Sequence, residues 1–349
     1  MKYKILRIVI VFSIPHLIGA CTISPYNESD YFSPKRSSLT NDTYKLSKTF
    51  ARNDEFVVLI TKTGDTLSSL AETYLGDASL KWIIEDFNHV TRIVPGIELV
   101  IPLKDTNPSG IFANGINTIP ILCYHRFGEG HKKMAVSATK FRQQMQYLKD
   151  NGYRVIPLVD LVEHLQGKRS LPRKAVVITV DDGYRSTHDI AFPILNELDF
   201  TATVFLYTGF LGAPDALTWN QIRTMYGSGV FDFQPHSKTH PNLALTKSDE
   251  TQIAYQSRIF VEIEQPKSLI HRKLNNTIYS FAYPFGDTND VVIDALKKKD
   301  YSIAATVQPG SNAAFSAPFM LTRTMIYGDD SLSDFKKALG TFEHMILKD

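Results

Sequence analysis

Three shortages frame this chain of 349 residues. Charge of one sign is missing: 38 Lys and Arg stand against 36 Asp and Glu, a net +2, so no basic field exists to draw in nucleic acid. Cysteine is scarce, with only Cys21 and Cys123. Cys123 lies in the apolar run Ile119-Pro-Ile-Leu-Cys-Tyr-His125, where a buried small hydrophobe is expected rather than a reactive thiol. The amino-terminal apolar run, Ile8–Ile18, is too short to span a bilayer comfortably. What is present is core-forming material: 43% hydrophobic and 11% aromatic residues, in a chain longer than the usual single domain. One larger domain plus something smaller is predicted, and no internal repeat is visible.

Lys2, Lys4 and Arg7 precede the apolar run, which closes Leu17-Ile-Gly-Ala-Cys21. This resembles the lipobox of bacterial lipoproteins; an ordinary signal peptide with a chance cysteine is the alternative. The resemblance implies a signal peptide over residues 1–20, lipidation of Cys21 and a lipid anchor in the cell envelope. Thr22, rather than Asp, following the cysteine favours the periplasmic side of the outer membrane. With Cys21 lipidated, Cys123 would have no disulfide partner. Residues 21–54, rich in Ser, Thr, Asn, Asp and Lys, read as a flexible tether.

Residues 55–104 read as a compact β-α-α-β unit. Phe56–Ile60 predicts a strand, Thr66 an N-cap for a helix carrying Leu67, Leu70, Ala71 and Tyr74, and Leu80, Ile83, Ile84 and Phe87 a second helix. Pro95-Gly96 then turns into the strand Glu98–Pro102. Gly64-Asp-Thr-Leu67, Ala71, Trp82, Asn88 and Pro95-Gly96 make the unit similar to a LysM module, which implies binding of N-acetylglucosamine-containing glycans. A small structural domain without a ligand is the alternative. Residues 105–118, with Asn107-Pro-Ser-Gly110 and Asn114-Gly115, read as a second linker.

From 119 to 349, short apolar strands alternate with amphipathic helices, one of them capped by Ser137 and carrying Phe141, Met145 and Leu148. Strands are expected near 120–124, 154–157, 175–180, 202–207, 230–233, 277–283, 302–307 and 321–326. This alternation predicts a parallel α/β sheet, open or closed into a barrel.

Polar clusters follow several of these strands: Tyr124-His125, Asp181-Asp182-Gly183, His236-Ser-Lys-Thr-His240 and Phe281-Ala-Tyr-Pro-Phe-Gly286. In parallel architectures the strand carboxyl ends share one face, where sites are built. His236 and His240, four apart, can reach one ion from one side of a helical turn or tight loop. Adjacent aspartates at the end of an apolar strand repel and lose solvation unless something positive lies near, although a water-exposed Asp-Asp-Gly turn is the plainer alternative. One carboxylate with two imidazoles leaves a coordination position open, and the second carboxylate, off the metal, can accept a proton.

Residues 119 to about 335 resemble the polysaccharide deacetylase (NodB homology) family. Thr179-Val-Asp-Asp-Gly183 is similar to its first motif, His236–His240 to its second, and Phe281–Gly286 to a variant of its third. The resemblance implies a distorted (β/α)7 barrel and hydrolysis of N-acetyl groups from an N-acetylglucosamine polymer such as peptidoglycan or poly-N-acetylglucosamine. It implies one divalent ion, zinc first with cobalt, nickel or iron as options, on Asp182, His236 and His240. Asp181 would be the general base, Ser237 would orient a ligand, and Tyr283 with the amides near Phe285 would flank the oxyanion. Two departures stand out. Ala282 occupies the place of the family's third-motif arginine, for which Arg323 is a substitute unless it is a surface residue. The late Leu-x-His acid is absent; His344 is expected on a terminal amphipathic helix and His271 comes in the wrong order. His125 is therefore the candidate acid, against a purely structural role. The rival from another class is a glycan-binding lipoprotein with a degenerate deacetylase-like domain. An iron oxygenase and an Asp181/Asp182 glycosidase fit the motif order and carboxylate spacing less well.

Overall fold

The structure is a computed structural model and describes residues 48–130 and 133–345. Cys21, the leader 1–20 and the tether up to residue 47 lie outside the described residues. The first strand, β1 (Lys48–Arg52), falls inside the stretch expected as tether. It pairs antiparallel with β2 (Phe56–Ile60), because Asn53 accepts the amides of Glu55 and Phe56 and folds a tight turn.

Two helices follow: α1 (Leu67–Leu75), with Thr66 and Ser69 forming the capping box, and α2 (Lys81–Asn88). The strand β3 (Glu98–Pro102) then adds to the far side of β2. Val57, Leu59, Leu67, Leu70, Ala71, Ile84, Leu99 and Ile101 form one apolar cluster of their own. The Asn88 side chain locks α2 to β3, accepting the Val100 amide at 2.9 Å and donating to the Val100 carbonyl at 2.7 Å.

The stretch expected as linker is ordered. Asn114-Gly115 turns a hairpin of β4 (Ile111–Phe112) and β5 (Gly115–Asn117). Residues 342–344 pair with β5, so His344 sits on a strand and not on a helix. That pairing explains the glycine: a Cβ at Gly115 would run into the Glu343 carbonyl oxygen and lie 2.6 Å from the Phe342 ring.

The larger body then runs in chain order. It opens with β6 (Ile119–Tyr124), the short pair β7 (Arg126–Phe127) and β8 (Ala135–Val136), α3 (Ala138–Asp150), β9 (Arg154–Val155) and α4 (Asp160–His164). Next come β10 (Ala175–Asp182), α5 (Phe192–Leu198), β11 (Ala202–Leu206), α6 (Trp219–Gly227), β12 (Phe231–Pro235) and α7 (Gln252–Leu274). It closes with β13 (Ser280–Ala282), α8 (Asp290–Lys298), β14 (Ile303–Ala305), β15 (Ser311–Asn312), β16 (Thr324–Met325), α9 (Leu332–Lys337) and β17 (Phe342–His344).

The central ladder is parallel in the order β12-β11-β10-β6-β16. β13 and β14 form a separate parallel pair, and Leu321, just ahead of β16, bridges β14 at Ala305. The α/β class is as expected, with the short β15 adding antiparallel to β6. β10 is buried along Ala175–Asp181, which accounts for an unbroken apolar run rather than alternation. Helix α3 is capped by Ser137 as predicted and buries Phe141, Met145 and Leu148 against the sheet, each contributing about 1.5–3 kcal/mol of apolar transfer. The parallel register brings the carboxyl ends of β6, β10 and β12 to one end of the sheet, where the site lies.

Candidate active site

A pocket of about 520 Å³ opens at these strand ends, lined by His125, Asp181, Asp182, His236, His240, Tyr283 and Phe285 among others. Seven of the residues singled out in the sequence are thus brought together. Arg323 and Ser237 lie directly behind them.

β10 delivers the two aspartates to different environments. Asp181 ends the extended run and is 1% exposed. Asp182 then takes a left-handed backbone, φ 74°, followed by Gly183 at φ 84°, and this turn swings its carboxylate toward the histidines. A side chain at Gly183 would also meet Leu206 at 2.9 Å.

Arg323 is fully buried and grips Asp181 with a two-pronged contact, Nη1 to Oδ1 at 2.7 Å and Nη2 to Oδ2 at 2.8 Å. Its Nε donates to the Thr306 carbonyl at 2.8 Å. The surface alternative for this arginine is overturned; it reaches Asp181 from the segment between Leu321 and β16. Burial alone would raise the Asp181 pKa, but the Arg323 charge overcomes it and holds the carboxyl well below the usual carboxylate range. Cys123 is buried and free, its thiol 3.5 Å from Asp181 Oδ2, and burial pushes its pKa up, as expected of an inert small hydrophobe.

His236 follows β12 and is 2% exposed. Its Nδ1 lies 2.8 Å from the Ala282 carbonyl. A carbonyl only accepts, so Nδ1 carries the proton and Nε2 presents its lone pair. Burial pushes this imidazole down to about 3 and lowers His240 as well, so both rings are neutral and able to act as ligands at physiological pH. The two histidines come together on a loop, not on a helical turn, with Ser237 and His240 both left-handed at φ 67° and 56°. Ser237 Oγ accepts the His240 amide at 2.9 Å and thereby fixes the loop.

Asp182 Oδ1 lies 3.4 Å from His240 Nε2 and 3.7 Å from His236 Nε2. This oxygen is buried and has no hydrogen-bond partner. Burial, with Asp181 next to it, pushes the Asp182 carboxyl up to about 6. A desolvated carboxylate oxygen facing the Nε2 atoms of two imidazoles is costly alone and suits a cation. The donor set of one carboxylate and two neutral imidazoles fits a divalent ion. Cys123, His125 and Asp181 form a second close group, but the Arg323 guanidinium already neutralises that carboxylate and leaves no place for another cation.

On the opposite wall, Phe285 is left-handed at φ 63°, 60% exposed, and packs edge-on against His240 with ring centroids 4.9 Å apart. Tyr283 is buried, and its hydroxyl donates to the Phe319 carbonyl at 3.0 Å, so it supports the pocket wall rather than offering its hydroxyl to the cavity. His271 is tied to the Asn276 carbonyl after α7, a structural role.

One supporting residue gave no signal in the sequence. Glu262, on α7, is buried and accepts the amides of Lys238 and Thr239 at 3.0 and 2.8 Å and the Thr239 hydroxyl at 2.5 Å. It clamps the histidine loop from behind. Glu262→Ala orphans two amides, and a loss of about 2–4 kcal/mol is expected in urea unfolding. A loss below about 0.5 kcal/mol would mean the clamp does not hold.

Residues 168–304 match the Polysaccharide deacetylase family model. The chain is similar to the poly-beta-1,6-N-acetyl-D-glucosamine N-deacetylase of Escherichia coli (strain K12), 25% identical over 244 residues, covering 60% of this chain and 36% of that one. The Staphylococcus epidermidis enzyme of the same name is 27% identical over 205 residues, covering 57% of this chain and 70% of that one. The chain thus spans little more than a third of the Escherichia coli relative. Among solved structures, the Streptococcus pyogenes deacetylase PplD in complex with acetate superposes with a TM-score of 0.58 at 26% identity, covering 64% of this chain and 98% of that one. A de-N-acetylase from Aggregatibacter actinomycetemcomitans shares the fold, with a TM-score of 0.59 at 22% identity, over 64% of this chain and 100% of that one. The family match lies in the larger body, which carries the pocket. The deacetylase match begins well after the unit at 48–102.

Proposed function

We propose that this chain is a metal-dependent N-deacetylase that removes acetyl groups from an N-acetylglucosamine polysaccharide and releases acetate. The observation that carries the reading is the partnerless, buried Asp182 oxygen facing two imidazoles, beside an Asp181 kept ionised by Arg323. A divalent ion held by Asp182, His236 and His240, zinc first with cobalt, nickel or iron as options, would supply Lewis acidity toward the acetamide carbonyl and the attacking water.

The protein residues do the proton work. Asp181 accepts the proton of the attacking water; its Oδ2 lies 3.8 Å from His236 Nε2 and so faces the cation site. Its pairing with Arg323 keeps it ionised, and so able to accept a proton, throughout the neutral range. The amide at the left-handed Phe285 turn stabilises the oxyanion. His125 protonates the departing amine, which leaves as a free amino sugar while the acyl carbon leaves as acetate. Replacing His125 with Asn is expected to cut turnover by about 10²–10⁴-fold with zinc binding unchanged. Unchanged turnover would retire His125 as the acid.

The poly-beta-1,6-N-acetyl-D-glucosamine relatives favour that polymer over peptidoglycan or chitin fragments. The compact β-α-α-β unit, with its own core and the Asn88 lock, supports reading residues 55–104 as a LysM-like glycan binder upstream of a distorted barrel domain at 119–349. We read Cys21 as the lipid attachment point and the outer membrane, periplasmic side, as the location. Acetate release measured side by side on the three polymers tests the whole reading. Chelator-sensitive release is expected; no release from any of them sinks the enzyme and leaves a glycan-binding protein.

A further inference from the structure

Among the described residues no backbone ladder joins β12 to β13: β12 pairs with β11, and β13 with β14. Side chains cross the gap instead. Asp232, Gln234 and His236 alternate along one face of β12 and its end, and each reaches the segment 277–282. The Tyr279 hydroxyl donates to Asp232 at 2.9 Å, and His236 Nδ1 donates to the Ala282 carbonyl at 2.8 Å. Between them Gln234 is fully buried. Its Oε1 accepts the amides of Tyr279 and Ser280 at 3.0 and 3.1 Å, and its Nε2 donates to the Thr277 carbonyl and to Asp232 at 3.0 Å each.

A glutamine side chain ends in the same carbonyl and N–H pair as a peptide group, so here it stands in for a missing strand neighbour. Two consecutive amides on one oxygen fix the register of the 277–282 segment against β12. That register decides where the Ala282 carbonyl meets His236 Nδ1, hence where Nε2 points. It also sets the distance between the histidine loop and the turn carrying Phe285. Metal ligands must be held within about 0.5 Å of productive geometry, so a loose gap would cost affinity.

We infer that Gln234 is a positioning residue for the site of Asp182, His236 and His240, acting across the β12–β13 gap; this rests on the cation-binding reading proposed above. By linkage, a cation on His236 must in turn tighten the gap it helps to close.

Zinc affinity is measured by chelator competition on the full chain and on Q234M, which keeps the volume but none of the four hydrogen bonds. Q234M is expected to bind zinc about tenfold or more weakly. Q234E keeps the acceptor facing both amides and can share a proton with Asp232, so its affinity is expected between the two. Amide exchange of the wild type, with zinc and with chelator, gives a second readout. Tyr279 and Ser280 are expected to slow severalfold on zinc loading, while the β2–β3 ladder, which carries no ligand, does not change. A wild type that holds no zinc overturns the cation reading and this inference with it. A wild type that holds zinc while Q234M matches it within twofold overturns the inference alone. If Q234M does not fold, unchanged wild-type exchange at Tyr279 and Ser280 overturns it.

Discussion

Arg323→Leu is expected to lower stability by about 3–5 kcal/mol at neutral pH and to remove measurable turnover, because it strands the Asp181 charge in the interior. The sign with pH follows from the two states of Asp181. With Arg323 present, the folded pKa lies below the unfolded one, near 3.9. The pair's contribution is therefore fully present above about pH 4 and is lost only as pH falls through the folded value. Without Arg323, burial is left to act, and it raises the pKa. The penalty then grows as pH rises above about 4 and eases as pH falls. Chemical unfolding at pH 7 and pH 5 should show the variant recovering part of its loss on acidification. The double substitution Arg323→Leu with Asp181→Asn removes both charges, so it should regain much of the stability at pH 7 and none of the turnover. The difference between single and double variant cancels the other titrating groups of the pocket. Equal loss at both pH values, or turnover retained without Arg323, would mean the guanidinium does not govern Asp181.

That pairing also shows where sequence reasoning runs out. The strands β6 and β10, the capped helices α1 and α3, and the clustering of His125, Asp181, Asp182, His236 and His240 were legible, because apolar runs, caps and strand-end motifs are local signals. Whether Arg323 was buried was not, since its partner lies 142 residues away and no local pattern announces the contact. Glu262 and Gln234 were missed for the same reason: a polar residue that satisfies another segment's amides looks in sequence like any surface residue. The errors at 111–117 and 342–344 share a cause. Three short strands, β4, β5 and β17, each too short to show a period, become strands only because they pair with one another, β17 from across the chain. The strand at 48–52 likewise exists through β2 rather than through its own composition.

Asp182→Asn separates the cost of the cation site from its gain. Asparagine keeps the shape and tolerates the left-handed backbone at φ 74°, so the change is chiefly the loss of charge. In metal-free protein the buried, partnerless oxygen of Asp182 is a burden, which burial already expresses by raising the pKa to about 6. The metal-free variant is therefore expected to be no less stable than metal-free wild type. With zinc at a hundred times its dissociation constant, wild type gains about 2.7 kcal/mol, roughly 5–10 °C in Tm. If the variant binds a hundredfold more weakly, the same zinc gives about 0.4 kcal/mol, a shift near the limit of detection. Turnover should fall roughly a thousandfold, about 4 kcal/mol of transition-state stabilisation. The two halves check one another. A variant that loses turnover yet keeps the full zinc shift would place the ion elsewhere, and one that loses stability without metal would make Asp182 a structural residue instead of a ligand.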